Sequence, residues 1–514
     1  MVMNTQTILN CPKNFNLLDG QNLLSGKYFY ISHNKKNLTI TFYDTFDWRI
    51  YNAGLVLYSS GKRFYLRLIN TEIIIADCGF QKRPVFIRDF SENDLKKQLT
   101  SILGVRALMK KGMMRMNDSE GILLNKDNKT VCKTLSRKII PLTNSNNAVQ
   151  SHMILLFPLR GYSKDCRQII NKLNPYLLKD PAQDPFFITL KANGIKAGDY
   201  SGKFGIQLKR QTPAQEAIKA IFKTLINVIR QNEDGIINDL DTEFLHDFRV
   251  AVRRIRAALG QLQIVFSPDL VKKFKKDFSY LGRQSNQLRD LDVYLLNETM
   301  YKSMLPLRMR ESISILFNQL NLERKSAHQQ FSDLINNVRY NNIIKSWQNF
   351  LDSDTKNQTN NPIEARLPII KIVKPVIREQ LNTVLNLGSA INDNTEDEKI
   401  HELRIECKKL RYLLEFFISL FPQNKIETFI NHLKILQDNL GKFNDFSIQQ
   451  EFLQNYIIKL PVLNDKNKQV IAAVGALIGI LNDRQVKTRQ EFAIRYAQFA
   501  SSENFALAMK LFND

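Results

Sequence analysis

The chain of 514 residues reads as a multidomain α+β protein: an N-terminal antiparallel β domain followed by a C-terminal all-α domain, a duplicated helical bundle. Three observations predict this. Residues 1–200 alternate apolar and polar positions with the period of a half-buried strand. Beyond Pro213 the spacing of apolar residues becomes helical. Within that helical region a single basic pattern occurs twice, 155 residues apart.

Taken in order, strands are expected at YFYISH (28–33), LTITFYDT (38–45), GLVLYSS (54–60), FYLRLI (64–69), TEIIIADC (71–78) and HMILLFPL (152–159). Aromatic and β-branched residues suit a pleated, half-buried surface. Turn chemistry at SSGK (59–62) and NDSEG (117–121) is expected to separate strands. RALMKKGMMRMNDSEGILL (106–124) then reads as a basic strand followed by a hairpin.

The boundary falls in YSGKFGIQLKRQTP (200–213), which carries two glycines and a proline. The expected domains are therefore 1–205 and 211–514, the second in two halves of about 211–350 and 363–514. The polar run DSDTKNQTNNP (352–362) would join the halves, and GSAINDNTEDE (388–398) would form another exposed connection. VIAAVGALIGIL (470–481) spans 12 residues, too few to cross a bilayer, and reads as a buried helix whose small residues allow close packing.

The repeated pattern is His246-x-x-Arg249-x-x-x-Arg253-Arg254-x-Arg256, and again His401-x-x-Arg404-x-x-x-Lys408-Lys409-x-Arg411. The same offset pairs Leu281 with Leu436 and Arg289-Asp290 with Asn444-Asp445, so a whole unit is duplicated. Both copies suit a helix. At about 100° per residue, His246, Arg249, Arg253 and Arg256 share an arc of roughly 80°. Phe248, Val252, Ile255, Leu259 and Leu262 fall opposite, and in the second copy Leu403, Ile405, Leu410 and Leu414 are assigned to the apolar side.

Like charges at helical spacing cost a few tenths of a kcal/mol per pair, roughly. A phosphate-rich ligand removes that cost, because guanidinium forks bind phosphate oxygens in pairs. The competing account covers the stripes with carboxylates from neighbouring helices. The two histidines fit either a hydrogen-bonding role or a phosphate contact that strengthens as pH falls. Metal ligation lacks support in the first copy, which has no second His or carboxylate at ligand spacing.

Formal net charge is +23, so an anionic partner is expected. Residues 211–514 hold 41 basic and 35 acidic residues; the preceding 210 hold 32 and 15, so the β region is the more cationic. Five scattered cysteines without a CxxC pair argue against a disulfide framework or a zinc site. With no signal-like start and no membrane-length apolar run, a cytoplasmic protein is expected.

The doubled HxxRxxx[RK][RK]xR helices, with LGRQSNQLRDLDVYL (281–295) and LQDNLGKFNDFSI (436–448), resemble the CHAD family, the conserved histidine α-helical domain. The resemblance runs from Gln211 to near the C-terminus. It implies two helical bundles related by a pseudo-twofold, with basic residues lining a surface or pore that binds inorganic polyphosphate. Carried onto this sequence, the implied binding set is His246, Arg249, Arg253, Arg254, Arg256, His401, Arg404, Lys408, Lys409 and Arg411, with Arg283 and Arg289 on the adjoining helix.

FYDTFDWRIYNAGLVL (42–57) resembles the CYTH family of triphosphate tunnel enzymes, which implies an antiparallel β-barrel whose tunnel holds a polyphosphate chain and divalent metal. Such enzymes need a first strand of the form ExExK. Here the first 40 residues contain one acid, Asp19, and SHMILLFPLRGY (151–162) contains none. Without carboxylates on a strand face there is no scaffold for metal-assisted hydrolysis. The expectation is a degenerate, non-catalytic tunnel with no metal or cofactor, retaining cations among Lys62, Arg63, Arg67, Arg83, Arg88, Lys110, Lys111 and Arg115. Asp44 would serve the fold.

The expected function is non-enzymatic binding of inorganic polyphosphate. The resemblance implies attachment to polyphosphate granules or regulation of polyphosphate metabolism. Two alternatives stand beside it: a metal-dependent triphosphatase or polyphosphatase of the CYTH type, and a nucleic-acid binder. The cationic stripes lack interleaved aromatics for base stacking, which weighs against the last.

Overall fold

Alternation in the first two hundred residues produces eight strands in a single antiparallel sheet. The computed structural model describes residues 7–17, 24, 26–143, 148–202, 205–353, 362–392, 394–461 and 465–513. The chain divides into two units, Met1–Gly202 and Lys203–Asp514.

The strands of the first unit are β1 (Thr7–Cys11), β2 (Tyr28–Asp44), β3 (Leu55–Ser60), β4 (Arg63–Leu68), β5 (Ile74–Gly79), β6 (Met109–Asn125), β7 (Thr130–Pro141) and β8 (Ser151–Pro158). Its helices are α1 (Arg49–Asn52), α2 (Asp94–Leu103), α3 (Ser163–Leu173) and α4 (Pro185–Ala192). The strand order is β1-β8-β7-β6-β2-β3-β4-β5. Among the described residues no ladder joins β1 to β5, so the sheet is open and the expected closed barrel is not formed. Helices supply the burial that closure would have given. Leu95, Leu99 and Leu103 of α2 cover Phe64 and Leu66, and Ile169 and Leu173 of α3 cover Tyr28, Tyr30 and Leu156. Phe186, Ile188 and Leu190 of α4 pack on Phe42, Met114 and Leu155.

Two strand assignments change. YFYISH and LTITFYDT are one 17-residue strand, β2. NDSEG is no turn but the middle of β6, paired with β2 on one side and β7 on the other. Its two carboxylates are satisfied across the strands. Asp118 accepts two bonds of 3.0 Å from Arg137, and Glu120 accepts from Lys36 at 2.8 Å. Gly121 is required for packing, since a Cβ there would lie 2.4 Å from the Tyr30 ring. β1 and β7 are strands that the sequence pattern did not single out.

The second unit is helical: α5 (Ala214–Ile237), α6 (Thr242–Gln261), α7 (Pro268–Gln284), α8 (Asn286–Leu296), α9 (Glu298–Met304), α10 (Leu307–Ile335), α11 (Val338–Asp352), α12 (Ile369–Ser389), α13 (Asp397–Phe416), α14 (Gln423–Lys459), α15 (Asp465–Phe499) and α16 (Ser502–Phe512). The 155-residue period survives in three dimensions. α12, α13 and α14 each begin 155 residues after α5, α6 and α7. The residues before α5 and α12 bond reciprocally, Ala214 N to Leu367 O at 2.9 Å and Ile369 N to Thr212 O at 2.8 Å. The copies then diverge: the chain breaks at Ser285 between α7 and α8, whereas α14 runs on without interruption.

Residues 470–481 lie within α15, whose apolar face (Val470, Ala473, Val474, Leu477, Leu481) is buried. Gly475 and Gly479 face open space, so the glycines do not mediate close packing, while Ala473 of the same run is buried. Most of the expected polar link at 352–362 lies outside the described residues. Among the described residues no helix is long and apolar enough to cross a membrane.

Candidate functional site

α6 and α13 form because each carries an apolar face every third or fourth residue, and that face seats the motif. Phe248, Val252, Ile255 and Leu259 are buried on α6, as are Leu403, Cys407, Leu410 and Leu414 on α13. Asp241 caps α6 by accepting from Glu243 N at 2.9 Å. Ile405 departs from its assigned side: it is 39% exposed, because four residues beyond His401 places it about 40° from the cation stripe.

The two motif copies meet at one cavity of about 730 Å³. From the first copy it is lined by Arg253 and Arg256, and from the second by His401, Arg404, Lys408 and Lys409. α7 adds Lys275, and α12 adds Val376, Glu379, Gln380 and Thr383. Tyr412, 8% exposed, forms a section of the wall.

Burial and mutual repulsion weaken three of these cations, Lys408, Arg404 and Arg256. Burial, then the charges of Arg404 and Arg253, push Lys408 down to about 8. Burial lowers Arg404 as well; Asp445 opposes the shift and Arg253 adds to it. Arg256 is lowered by burial and by Arg283 and Arg253. Arg253 therefore acts electrostatically on both copies at once. A site whose cations disfavour their own charge has free energy to gain from an anion.

The other expected residues serve elsewhere. Arg249 reaches the turn after α7, donating to Gly282 O at 3.1 Å, Ser285 Oγ at 2.6 Å and Asn286 Oδ1 at 2.9 Å. Burial pushes it down to about 10, with Arg253 adding and Asp290 opposing. Arg254 donates to Glu415 Oε2 at 2.6 Å, and Arg411 donates to Glu415 Oε1 at 2.8 Å and Gln437 Oε1 at 3.0 Å. Arg283 lies beside Arg256 but outside the cavity lining, and Arg289 is lowered by burial near Glu243 and Asp292. His246 does not line the cavity. His401 does, and its Nδ1 is hydrogen-bonded to Asn444 Oδ1, which fixes the ring. Lys409 lines the cavity while bonded to Glu406 at 2.6 Å. Carboxylates thus hold several motif cations, as the competing account requires: Glu415 takes Arg254 and Arg411, Glu406 takes Lys409, and Asp445 lies 3.7 Å from Arg404; Arg253, Arg256, Arg404 and Lys408 line the cavity.

Several residues escaped the sequence reading. Glu415 stands one turn beyond Arg411, just past the motif. Lys275 has a faint signal, since Lys275, Ser279 and Arg283 share one helical face. The α12 residues have none.

In the first unit, Asp44 is buried and accepts from the backbone N–H of Thr45 (2.7 Å), Ile50 (3.0 Å) and Tyr51 (2.9 Å), holding the start of α1. Burial pushes it up to about 6. Arg67 is buried against Asp184 at 2.8 Å and Lys111 lies 4.1 Å from the Trp48 ring centre. Arg63 pairs with Asp77, Arg88 stacks on Phe86 and Arg83 lies over Tyr43. Lys62, Lys110 and Arg115 are exposed.

The CHAD domain family matches residues 220–454. Similar solved structures include the CHAD domain from the plant Ricinus communis, 21% identical, covering 58% of this chain and 96% of that one with a TM-score of 0.48. Another is PptA from Streptomyces chartreusis, 15% identical, covering 55% and 99% with a TM-score of 0.45. No curated protein matches. The CHAD match thus covers most of the helical unit, which in sequence follows an eight-stranded antiparallel sheet domain.

Proposed function

We propose that the helical unit binds inorganic polyphosphate without transforming it, through the cavity between α6 and α13. The observation that carries this is the convergence of cations from both sequence copies, Arg253 and Arg256 with Arg404 and Lys408, on one cavity where burial penalises the charge of Arg256, Arg404 and Lys408. A flexible chain with about one negative charge per phosphate relieves several of these cations together and releases counterions. Association with polyphosphate granules, or a role in polyphosphate metabolism, would follow from such binding.

The absence of chemistry belongs to the proposal. It is supported by a first strand region without glutamate and by Asp44, whose oxygens are taken up by backbone N–H groups. The sheet unit then acts as a degenerate CYTH-like domain, with exposed cations of its own available to an anion. Fluorescence anisotropy of labelled long-chain polyphosphate on the full chain, with duplex DNA as competitor, tests the binding. The expected result is retention of polyphosphate against an equal concentration of DNA phosphate. Displacement by DNA would reduce the site to general basicity. Phosphate release from tripolyphosphate with Mg²⁺ or Mn²⁺ would overturn the non-enzymatic reading.

A further inference from the structure

One wall of the cavity does not suit a bare phosphate chain. α12 carries Lys371, Lys374 and Arg378, and none of them lines the cavity. Lys374 Nζ donates to Asn513 O at 2.6 Å and Arg378 Nη1 to Asn513 Oδ1 at 3.3 Å. Toward the cavity α12 presents Val376, Glu379, Gln380 and Thr383. Among the described residues the Glu379 side chain has no salt bridge. The Gln380 amide nitrogen is already committed to Glu406 Oε2 at 2.8 Å, while its oxygen accepts only a long bond from Gln261 at 3.4 Å.

This wall offers acceptors and apolar surface, and a polyphosphate chain can use neither. Its oxygens accept hydrogen bonds and cannot donate, and the Glu379 carboxylate repels it. Val376, Ala257 and Ile405 gain nothing from a hydrated phosphate. A ligand that satisfies both walls joins a phosphate chain to a flat, partly apolar group carrying N–H donors. The volume of about 730 Å³ lies within the range of small-ligand sites.

We infer that the cavity takes a nucleoside polyphosphate, with its phosphates over Arg253, Arg404 and Lys408 and its base against Val376, Ile405 and Tyr412, an amino group of the base donating to Glu379. This deepens the anion-binding reading and rests on it. Calorimetry on the full chain, in EDTA so that no divalent ion bridges Glu379 to phosphate, compares adenosine 5′-tetraphosphate with inorganic tetrapolyphosphate at one salt concentration. The nucleoside form is expected to bind at least tenfold tighter. Glu379→Lys is expected to reverse the order, strengthening the inorganic chain and weakening the nucleoside form. Equal or weaker binding of the nucleoside form, or an unchanged ratio in Glu379→Lys, would overturn this inference and leave anion binding standing. Failure of both ligands to bind would overturn both readings.

Discussion

Arg254 of the first motif copy donates to Glu415, one turn beyond the second copy, at 2.6 Å. The other oxygen of that carboxylate takes Arg411 at 2.8 Å, so a single acid ties α6 to α13 and holds two motif cations in the fold. With side-chain exposures of 11% and 22%, the Arg254–Glu415 pair is largely shielded from water. Glu415→Ala should cost about 3 kcal/mol, since it leaves Arg254 buried without its counter-charge. Urea unfolding measures it; a cost within about 0.5 kcal/mol would show that the bridge carries no stability.

Arg253 and its neighbour in sequence should behave in opposite ways. Arg253→Ala removes a cation that repels Arg404 and Lys408, so stability should hold or rise while polyphosphate affinity falls by about ten- to a hundredfold. Arg254→Ala should lower stability. Paired melting and binding curves check both, and a destabilised Arg253→Ala with unchanged affinity would exchange their roles.

Lys408 gives binding a proton signature. Its folded value of about 8 lies below the ordinary 10.5, so between these the unfolded chain holds more protons and stability rises with pH. An anion in the cavity restores the charge. Binding at pH 9 should therefore take up close to one proton, with little uptake at pH 7, and affinity should weaken as pH rises through 8. Calorimetry in buffers of different ionisation enthalpy reads the uptake, and Lys408→Arg should abolish it.

In the sheet, Gly121→Ala should cost about 1–3 kcal/mol, because the new methyl meets the Tyr30 ring. Tyr30→Leu in the same chain should recover some of the loss. Additive losses in the double variant would mean that the two positions do not share that contact.

The duplication of the second unit was legible because the sequence is written twice: α5, α6 and α7 have partners at one fixed offset. The sheet was harder to read. Asn117-Asp118-Ser119-Glu120-Gly121 has turn chemistry, and only the distant partners Arg137, Lys36 and Tyr30 make it strand. Closure of the sheet is a property of its two edge strands, which no local pattern specifies. At the cavity, the motif spacing located Arg253, Arg256, Arg404 and Lys408. It could not show that Arg254 and Arg411 are claimed by Glu415, nor that α12 supplies a wall, because both depend on how the helices pack.

The most direct test compares long-chain polyphosphate binding by the full chain with that of an Arg253→Ala/Arg404→Ala/Lys408→Ala variant, at near-physiological salt, with thermal melting of each. The account predicts an intact melting transition and loss of high-affinity binding in the variant. A folded triple variant that binds as tightly as the parent would contradict it and place the anion site elsewhere on the chain.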